Sequence, residues 1–183
     1  MKTHMSKLLF TMTIVWTAIY GHGCATTDIY IPPVESVNNR QFKEMEISTT
    51  LKPYVSMFIE ELDKRKCSKA RLFQIKSIEL AGEEEFLEQE NIQGGGYYLG
   101  LCFDTSPNRP YARILIRKAA NLSIIETMSV VFHELGHCAL GLDHVEVGKG
   151  ERAIMSSMSG IPDTTTPLEW EQMKNELFKE CEK

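Results

Sequence analysis

Apolar side chains recur every three or four residues in three parts of the chain, which is the spacing that places them on one face of an α-helix. The first part is Ser48–Lys66, whose apolar residues are Leu51, Val55, Phe58, Ile59 and Leu62. The second begins at Ser123–Glu126 and the third at Thr166–Glu169. Both tetrapeptides are capping boxes, which mark the start of a helix. The pattern therefore predicts three helices, the last of which extends to roughly Glu180.

Shorter runs of β-branched and aromatic residues predict strands. Leu72–Leu80 alternates in part between apolar and polar positions. Tyr97–Phe103 and Ala112–Arg117 are separated by a loop rich in turn formers, which predicts a hairpin. Ile114–Ile116 is apolar at successive positions, so the second strand of this hairpin is expected in the interior of the sheet and Tyr97–Phe103 at its edge.

The first 23 residues have the pattern of an export signal, because Lys2 and Lys7 precede the apolar run Leu8–Tyr20, which is short for a membrane-spanning helix. A small residue precedes Cys24, as in a lipoprotein cleavage site, although the usual leucine three positions before the cysteine is missing. Acylation of Cys24 would anchor an exported protein to a membrane of the cell envelope. Cleavage by an ordinary signal peptidase, for instance after Ala25, would give a secreted protein instead.

The expected domain organisation is a signal peptide at 1–23, a tether at 24–45 and one domain at 46–183. Thr26–Arg40 contains a Pro-Pro pair and little periodicity, which predicts a flexible tether, with a short pro-segment as the alternative. The full chain has a net charge of −5, and residues 1–23 contribute two lysines and no acidic residue. The remainder is therefore more acidic, which argues against nucleic acid and anionic membrane surfaces as partners.

The candidate chemistry is concentrated in the stretch His133–His144. It begins with the pattern H-E-x-x-H, in which His133 and His137 lie four residues apart, so a helix aims both imidazoles at one ion. Glu134 lies between them and is placed to accept a proton from a water on that ion. All the histidines that follow residue 23 lie in this stretch, the third being His144. This concentration favours a zinc site over ordinary helix residues.

The stretch resembles the signature H-E-x-x-H-x-x-G-x-x-H of the metzincin metallopeptidases, and its sequence is most similar to that of the matrixins within this group. The resemblance implies three histidine ligands to zinc, Glu134 as the general base and an edge strand that holds an extended peptide. It also implies a methionine-containing turn beneath the metal, for which Ala153–Ser157 with Met155 is the counterpart. The implied fold is α+β and metzincin-like: a small mixed β-sheet packs on two long helices, one carrying H-E-x-x-H, and a C-terminal helix follows.

The chain departs from the signature by one extra residue between His137 and His144. In a regular helix one residue turns all that follows by about 100° and shifts it by roughly 1.5 Å. A π-bulge near Cys138 would absorb the extra residue and keep His144 as the third ligand. Otherwise the loop follows a different path, and Asp143, which has the family's spacing, becomes the ligand. His144 is the expected ligand, because its distance from Gly141 matches the signature.

Four cysteines follow Cys24, an even number that suits an exported protein with disulfides. They are Cys67, Cys102, Cys138 and Cys181. The favoured pairing is Cys67–Cys102 and Cys138–Cys181, because the second bond would tie the terminal helix to the helix with the histidines. Four free buried thiols are the alternative.

These observations predict an exported zinc endopeptidase that hydrolyses peptide bonds of a peptide or protein substrate, with Glu134 as general base. The rival prediction is an envelope lipoprotein that binds zinc without catalysis. Hydrolysis of a non-protein amide in the cell envelope is a third prediction. Glu134 separates the first prediction from the second, because a structural zinc site needs no base.

Overall fold

The computed structural model describes residues 45–87, 98–118, 122–148, 152–157, 161–162 and 164–182. The expected signal peptide, the acylation candidate Cys24 and the tether up to residue 44 lie outside the described residues.

Within the described residues, four strands form one mixed sheet in the order β1-β2-β4-β3. They are β1 (Glu46–Ile47), β2 (Ile75–Ala81), β3 (Gly100–Phe103) and β4 (Ala112–Arg117). The first two strands and β4 run parallel, whereas β3 pairs with β4 in the antiparallel sense. The predicted hairpin and the edge position of its first strand are therefore confirmed.

Three helices whose bounds lie within the described residues pack with the sheet. They are α1 (Lys52–Lys64), α2 (Ile124–Leu135), which continues into a π-helical segment (Gly136–Leu140), and α3 (Pro167–Leu177). Both predicted capping boxes are formed, at Ser123 and at Thr166. Helix α1 begins later than predicted because Thr49–Leu51 forms a 3-10 turn, and β2 begins later because Leu72–Gln74 does the same. Within the described ranges, no helix combines the length and apolar character needed to cross a lipid bilayer.

Aromatic side chains join the helices in the core. The ring of Phe58 on α1 lies 5.2 Å from that of Phe132 on α2, and the Phe132 ring lies 5.3 Å from that of Trp170 on α3. Ile114 and Ile116 of β4 belong to the same buried cluster, whereas Leu115 faces a second, smaller cluster on the other side of the sheet. Strand β4 is thus buried on both faces, as predicted, and the fold is α+β with a small mixed sheet.

The four cysteines within the described residues are all paired, but the favoured pairing is wrong. The disulfides are Cys67–Cys181 and Cys102–Cys138. The ends of α1 and α3 lie together, where the Arg65 guanidinium donates to the Asn175 side chain at 2.5 Å, so the cysteine after each helix meets the other. The antiparallel pairing of β3 leaves Cys102 beside the π-helical segment, which carries its partner.

Candidate metal centre

Three imidazoles converge at the C-terminal end of α2. The Nε2 atoms of His133, His137 and His144 form a triangle in which every side is 3.1 Å. These three residues form a group that could hold a metal ion. Asp143, the alternative third ligand, does not belong to the group. The structure therefore brings together the three histidines that the sequence singled out.

The extra residue is absorbed inside the π-helical segment. Gly141 follows the segment in the left-handed conformation, with φ of 73°, and its N–H group donates to the carbonyls of Gly136 and His137. The N–H group of Leu142 donates to the Gly136 carbonyl at 3.1 Å. In a Schellman ending, the two closing bonds join residues five and three apart. Here they join residues six and four apart, so the expected π-bulge is confirmed and the alternative loop path is wrong.

Two backbone carbonyls determine which nitrogens face the centre of the triangle. The Nδ1–H group of His133 donates to the Ile154 carbonyl, and that of His137 donates to the Leu142 carbonyl, both at 2.6 Å. A carbonyl oxygen only accepts hydrogen bonds, so each Nδ1 carries the proton and each Nε2 presents a lone pair. Lone pairs of neutral imidazoles only 3.1 Å apart repel one another unless a cation lies between them.

Burial keeps these imidazoles neutral. Burial, helped by the neighbouring histidines and opposed by the hydrogen bond to Ile154, lowers the pKa of His133 to about 4. Burial likewise lowers the pKa of His137. Neutral imidazole is the form of histidine that binds a metal. The protein therefore holds both rings in the protonation state that a metal site requires.

The turn that contains Met155 supports the histidines from below. Met155 is buried, and a Cβ atom added to Gly136 would lie 2.4 Å from its sulfur atom, so the methionine packs directly on the helix between the first two histidines. The Met155 carbonyl accepts the N–H group of Val145 at 2.9 Å, next to His144. The carbonyl of the preceding residue, Ile154, holds His133. The Met155 turn thus contacts His133 itself and the residues next to His137 and His144 in sequence.

Glu134 points its carboxyl group into the gap between α2 and β3. Its side chain is buried and accepts the backbone N–H group of Cys102, and burial outweighs this bond and raises its pKa to about 8. Gly100 leaves the space that Glu134 occupies, because an added Cβ atom would lie 2.6 Å from the Glu134 carboxyl. A cation at the histidines would favour the ionised carboxylate.

The sequence did not single out Gly100 or Cys102 as partners of Glu134. A glycine at the start of a short strand has many explanations, and a backbone N–H group leaves no mark in a sequence. Only the packing of β3 against α2 shows what these two residues do at the site.

Two adjoining cavities open onto the histidines. Both are lined by Tyr98, Gly100, His133, Glu134 and His144. The larger, about 460 Å³, runs along β3 past Cys102 and Asp104. The smaller, about 130 Å³, extends between α2 and the Met155 turn and is lined by apolar groups such as Val130, Ile154 and Ile161. The site is therefore an open groove with a mainly apolar side cavity.

Comparison of the chain with protein-family models, with curated proteins and with solved structures finds no match.

Proposed function

We propose that the protein is a zinc-dependent endopeptidase of metzincin-like fold, with His133, His137 and His144 as the metal ligands. The observation that carries the proposal is the triangle of imidazole Nε2 atoms. Nitrogens 3.1 Å apart leave a point about 1 Å outside their plane that lies about 2.05 Å from each, which is the length of a zinc–imidazole bond. Three imidazole ligands also leave a fourth coordination position free, as in catalytic zinc sites.

Glu134 is the proposed general base. When zinc is bound, it supplies a Lewis acid that acidifies water and polarises a carbonyl group. Glu134 removes a proton from the attacking water as the water oxygen bonds to the peptide carbonyl carbon. The same carboxyl group then gives the proton to the amide nitrogen as the C–N bond breaks. A buried carboxyl group held on one side by the Cys102 N–H group keeps a constant position through both transfers.

The edge of the sheet supports an extended peptide as the substrate. The N–H group of Arg117 on β4 donates to Leu99, and the N–H group of Cys102 donates to Glu134, so alternate residues of β3 turn their backbone groups away from β4. Gly100 therefore turns both of its backbone groups towards the groove, and Cys102, whose N–H group is held by Glu134, turns its carbonyl group there. A peptide that adds to this edge lies beside the histidines and Glu134.

The disulfides support an exported protein. Cys67, Cys102, Cys138 and Cys181 are all paired, which suits an oxidising compartment. With the signal-like N-terminus, this favours a cell-envelope protein anchored by a lipid on Cys24. Secretion without a lipid is the alternative.

The test is a set of three single substitutions in the purified, oxidised protein. Glu134→Ala should retain zinc and lose cleavage of an unfolded protein, because it removes the base and no ligand. His144→Ala should lose most zinc affinity, and Asp143→Ala should retain it. Zinc is measured by competition with a chromophoric chelator, and cleavage by release of peptides.

Each outcome separates the alternatives. A Glu134→Ala protein that cleaves as fast as the parent would refute the catalytic assignment. A parent that binds zinc and cleaves no protein would favour the zinc-binding lipoprotein, or an amide of the cell envelope as the substrate. Loss of zinc in Asp143→Ala alone would refute the ligand assignment.

A further inference from the structure

We infer that the Cys102–Cys138 disulfide, together with Arg71, positions the third metal ligand, so that the zinc site is completed only after this disulfide forms. The inference rests on the proposed zinc site. It goes beyond the proposal because it assigns a role to three residues that neither bind the metal nor move a proton. It also makes metal binding depend on the redox state of the chain.

The disulfide joins the two elements between which the site lies. Cys138 follows the ligand His137 directly and belongs to the π-helical segment that leads to His144. Cys102 belongs to β3, and its backbone N–H group holds the Glu134 carboxyl. One covalent bond thus ties the segment with the ligands to the strand that positions the base.

Arg71 bridges the same two elements by hydrogen bonds. Its Nε–H group donates to the Cys138 carbonyl at 3.2 Å, and its guanidinium forms an ion pair with Asp104, the residue after β3. The guanidinium also lies against Gly141, where an added Cβ atom would be 2.9 Å from it. Carbonyls at the end of a helix lack partners within the helix, and Arg71 supplies one for Cys138.

The segment can be wound as a π-helix or as an ordinary α-helix, which explains why the π-helical form needs this support. A π-helical turn is rarer than an α-helical turn and persists where its surroundings favour it. If the segment became regularly α-helical, it would no longer absorb the extra residue, and the turn that follows, with His144, would rotate by about 100° from its present place. The disulfide and Arg71 both hold Cys138 in the π register. They therefore hold the third imidazole in place.

Formation of the disulfide balances as a thiol–disulfide exchange. The two cysteine thiols lose two protons and two electrons as the Sγ–Sγ bond forms, and an oxidised dithiol or glutathione disulfide accepts them and becomes two thiols. In a reducing compartment the thiols stay separate. The structure thus couples completion of the metal site to arrival in an oxidising compartment.

The second disulfide of the chain provides a matched control. The test compares zinc affinity in Cys102→Ser/Cys138→Ser with that in Cys67→Ser/Cys181→Ser, whose disulfide joins the ends of α1 and α3. Serine is used because a free thiol would itself bind zinc. The first variant should bind zinc about 10- to 100-fold more weakly than the parent, which is the usual effect of losing support around metal ligands. The second should lose thermal stability and keep its zinc affinity.

A second pair of variants decides the question if the first double variant does not fold. Arg71→Ala is compared with Arg113→Ala, because each arginine is about two-fifths exposed and ion-paired, and only Arg71 lines the groove. Arg71→Ala should weaken zinc binding, and Arg113→Ala should not.

Parent-like zinc affinity in Cys102→Ser/Cys138→Ser, or equal losses in both double variants, would overturn the inference. If that variant does not fold, equal affinities of the two arginine variants would overturn it. A parent protein that binds no zinc would instead refute the proposed function on which the inference rests.

Discussion

At Gly100 the absence of a side chain determines where the Glu134 carboxyl lies. A Cβ atom at this position would be 2.6 Å from both Cγ and Oε1 of Glu134, closer than carbon and oxygen atoms approach without displacement. Gly82, at the end of β2, offers a contrast, because an added Cβ atom there meets nothing within 4 Å. Substitution of alanine for each glycine therefore distinguishes the effect of a methyl group beside Glu134 from the effect of a methyl group at the end of a strand.

Gly100→Ala should lower turnover strongly while zinc affinity changes little. The methyl group displaces the carboxyl group of Glu134, the proposed base, and a misplacement of about 1 Å can cost roughly a hundredfold in rate. Gly82→Ala should retain the turnover of the parent. The measurement is kcat on an unfolded protein substrate, together with zinc competition. Full activity in Gly100→Ala would show that Glu134 does not act from the position that the structure shows.

Among the elements, the π-helical segment reconciles the spacing of this chain with that of the metzincin signature. The histidine triangle exists although the chain has one residue more between His137 and His144 than the signature does. The extra residue widens the end of the helix. The number of residues from Gly141 to His144 therefore stays the same as in the signature. The segment is thus the element on which the position of His144, the proposed third ligand, depends.

Deletion of Ala139 should leave zinc affinity close to that of the parent. The shortened segment can close as an ordinary α-helical turn, which returns His144 to the register of the signature. Zinc affinity in this variant should also depend less on the Cys102–Cys138 disulfide, because an α-helical turn needs no special support. Competition with a chelator measures both effects. Loss of zinc as complete as in His144→Ala would show that the site requires the wide turn.

On the scale of the whole molecule, a buried charge network ties the first helix to the last. The Glu61 carboxylate on α1 accepts the Lys174 ammonium of α3 at 2.8 Å and the Arg65 guanidinium at 3.1 Å. Burial tends to raise the pKa of Glu61, but the hydrogen bonds from Lys174 and Arg65 outweigh it and lower the pKa below its ordinary value of 4.5. Because the folded pKa is the lower one, the stabilisation is complete above pH 4.5 and is lost as pH falls through the folded pKa.

Glu61→Gln should therefore destabilise the protein at neutral pH and much less in acid. At pH 7 the loss should reach about 3 kcal/mol, because Lys174 stays buried with one partner fewer. In acid below the folded pKa, the carboxyl of the parent also gains a proton, so the difference should shrink. Urea unfolding at both pH values measures the change.

Glu79→Gln serves as the control, because Glu79 and its partner Arg113 are more exposed than Glu61 and Lys174. Its effect should stay below about 1 kcal/mol. An equal loss at both pH values in Glu61→Gln would show that packing, and not charge, links the helices.

The sequence by itself determined the local features of the protein. Ser123 and Thr166 mark the starts of α2 and α3, because a capping box needs only residues three positions apart. His133 and His137 share a face because helical geometry relates residues four apart. The spacing to His144 even predicted the π-helical turn, since a fixed count of residues has few ways to return to one point.

Other features depend on which residues far apart in sequence come close together in space, and only the tertiary structure decided these. The disulfide pairing could not be deduced from the sequence, because it follows from where α1, α3 and β3 end in space, and Cys67 and Cys181 are 114 residues apart. The Cys102 N–H group on Glu134 and the guanidinium of Arg71 on the Cys138 carbonyl arise in the same way. These contacts use backbone groups, which every residue possesses, so their partners are selected by packing and not by residue type.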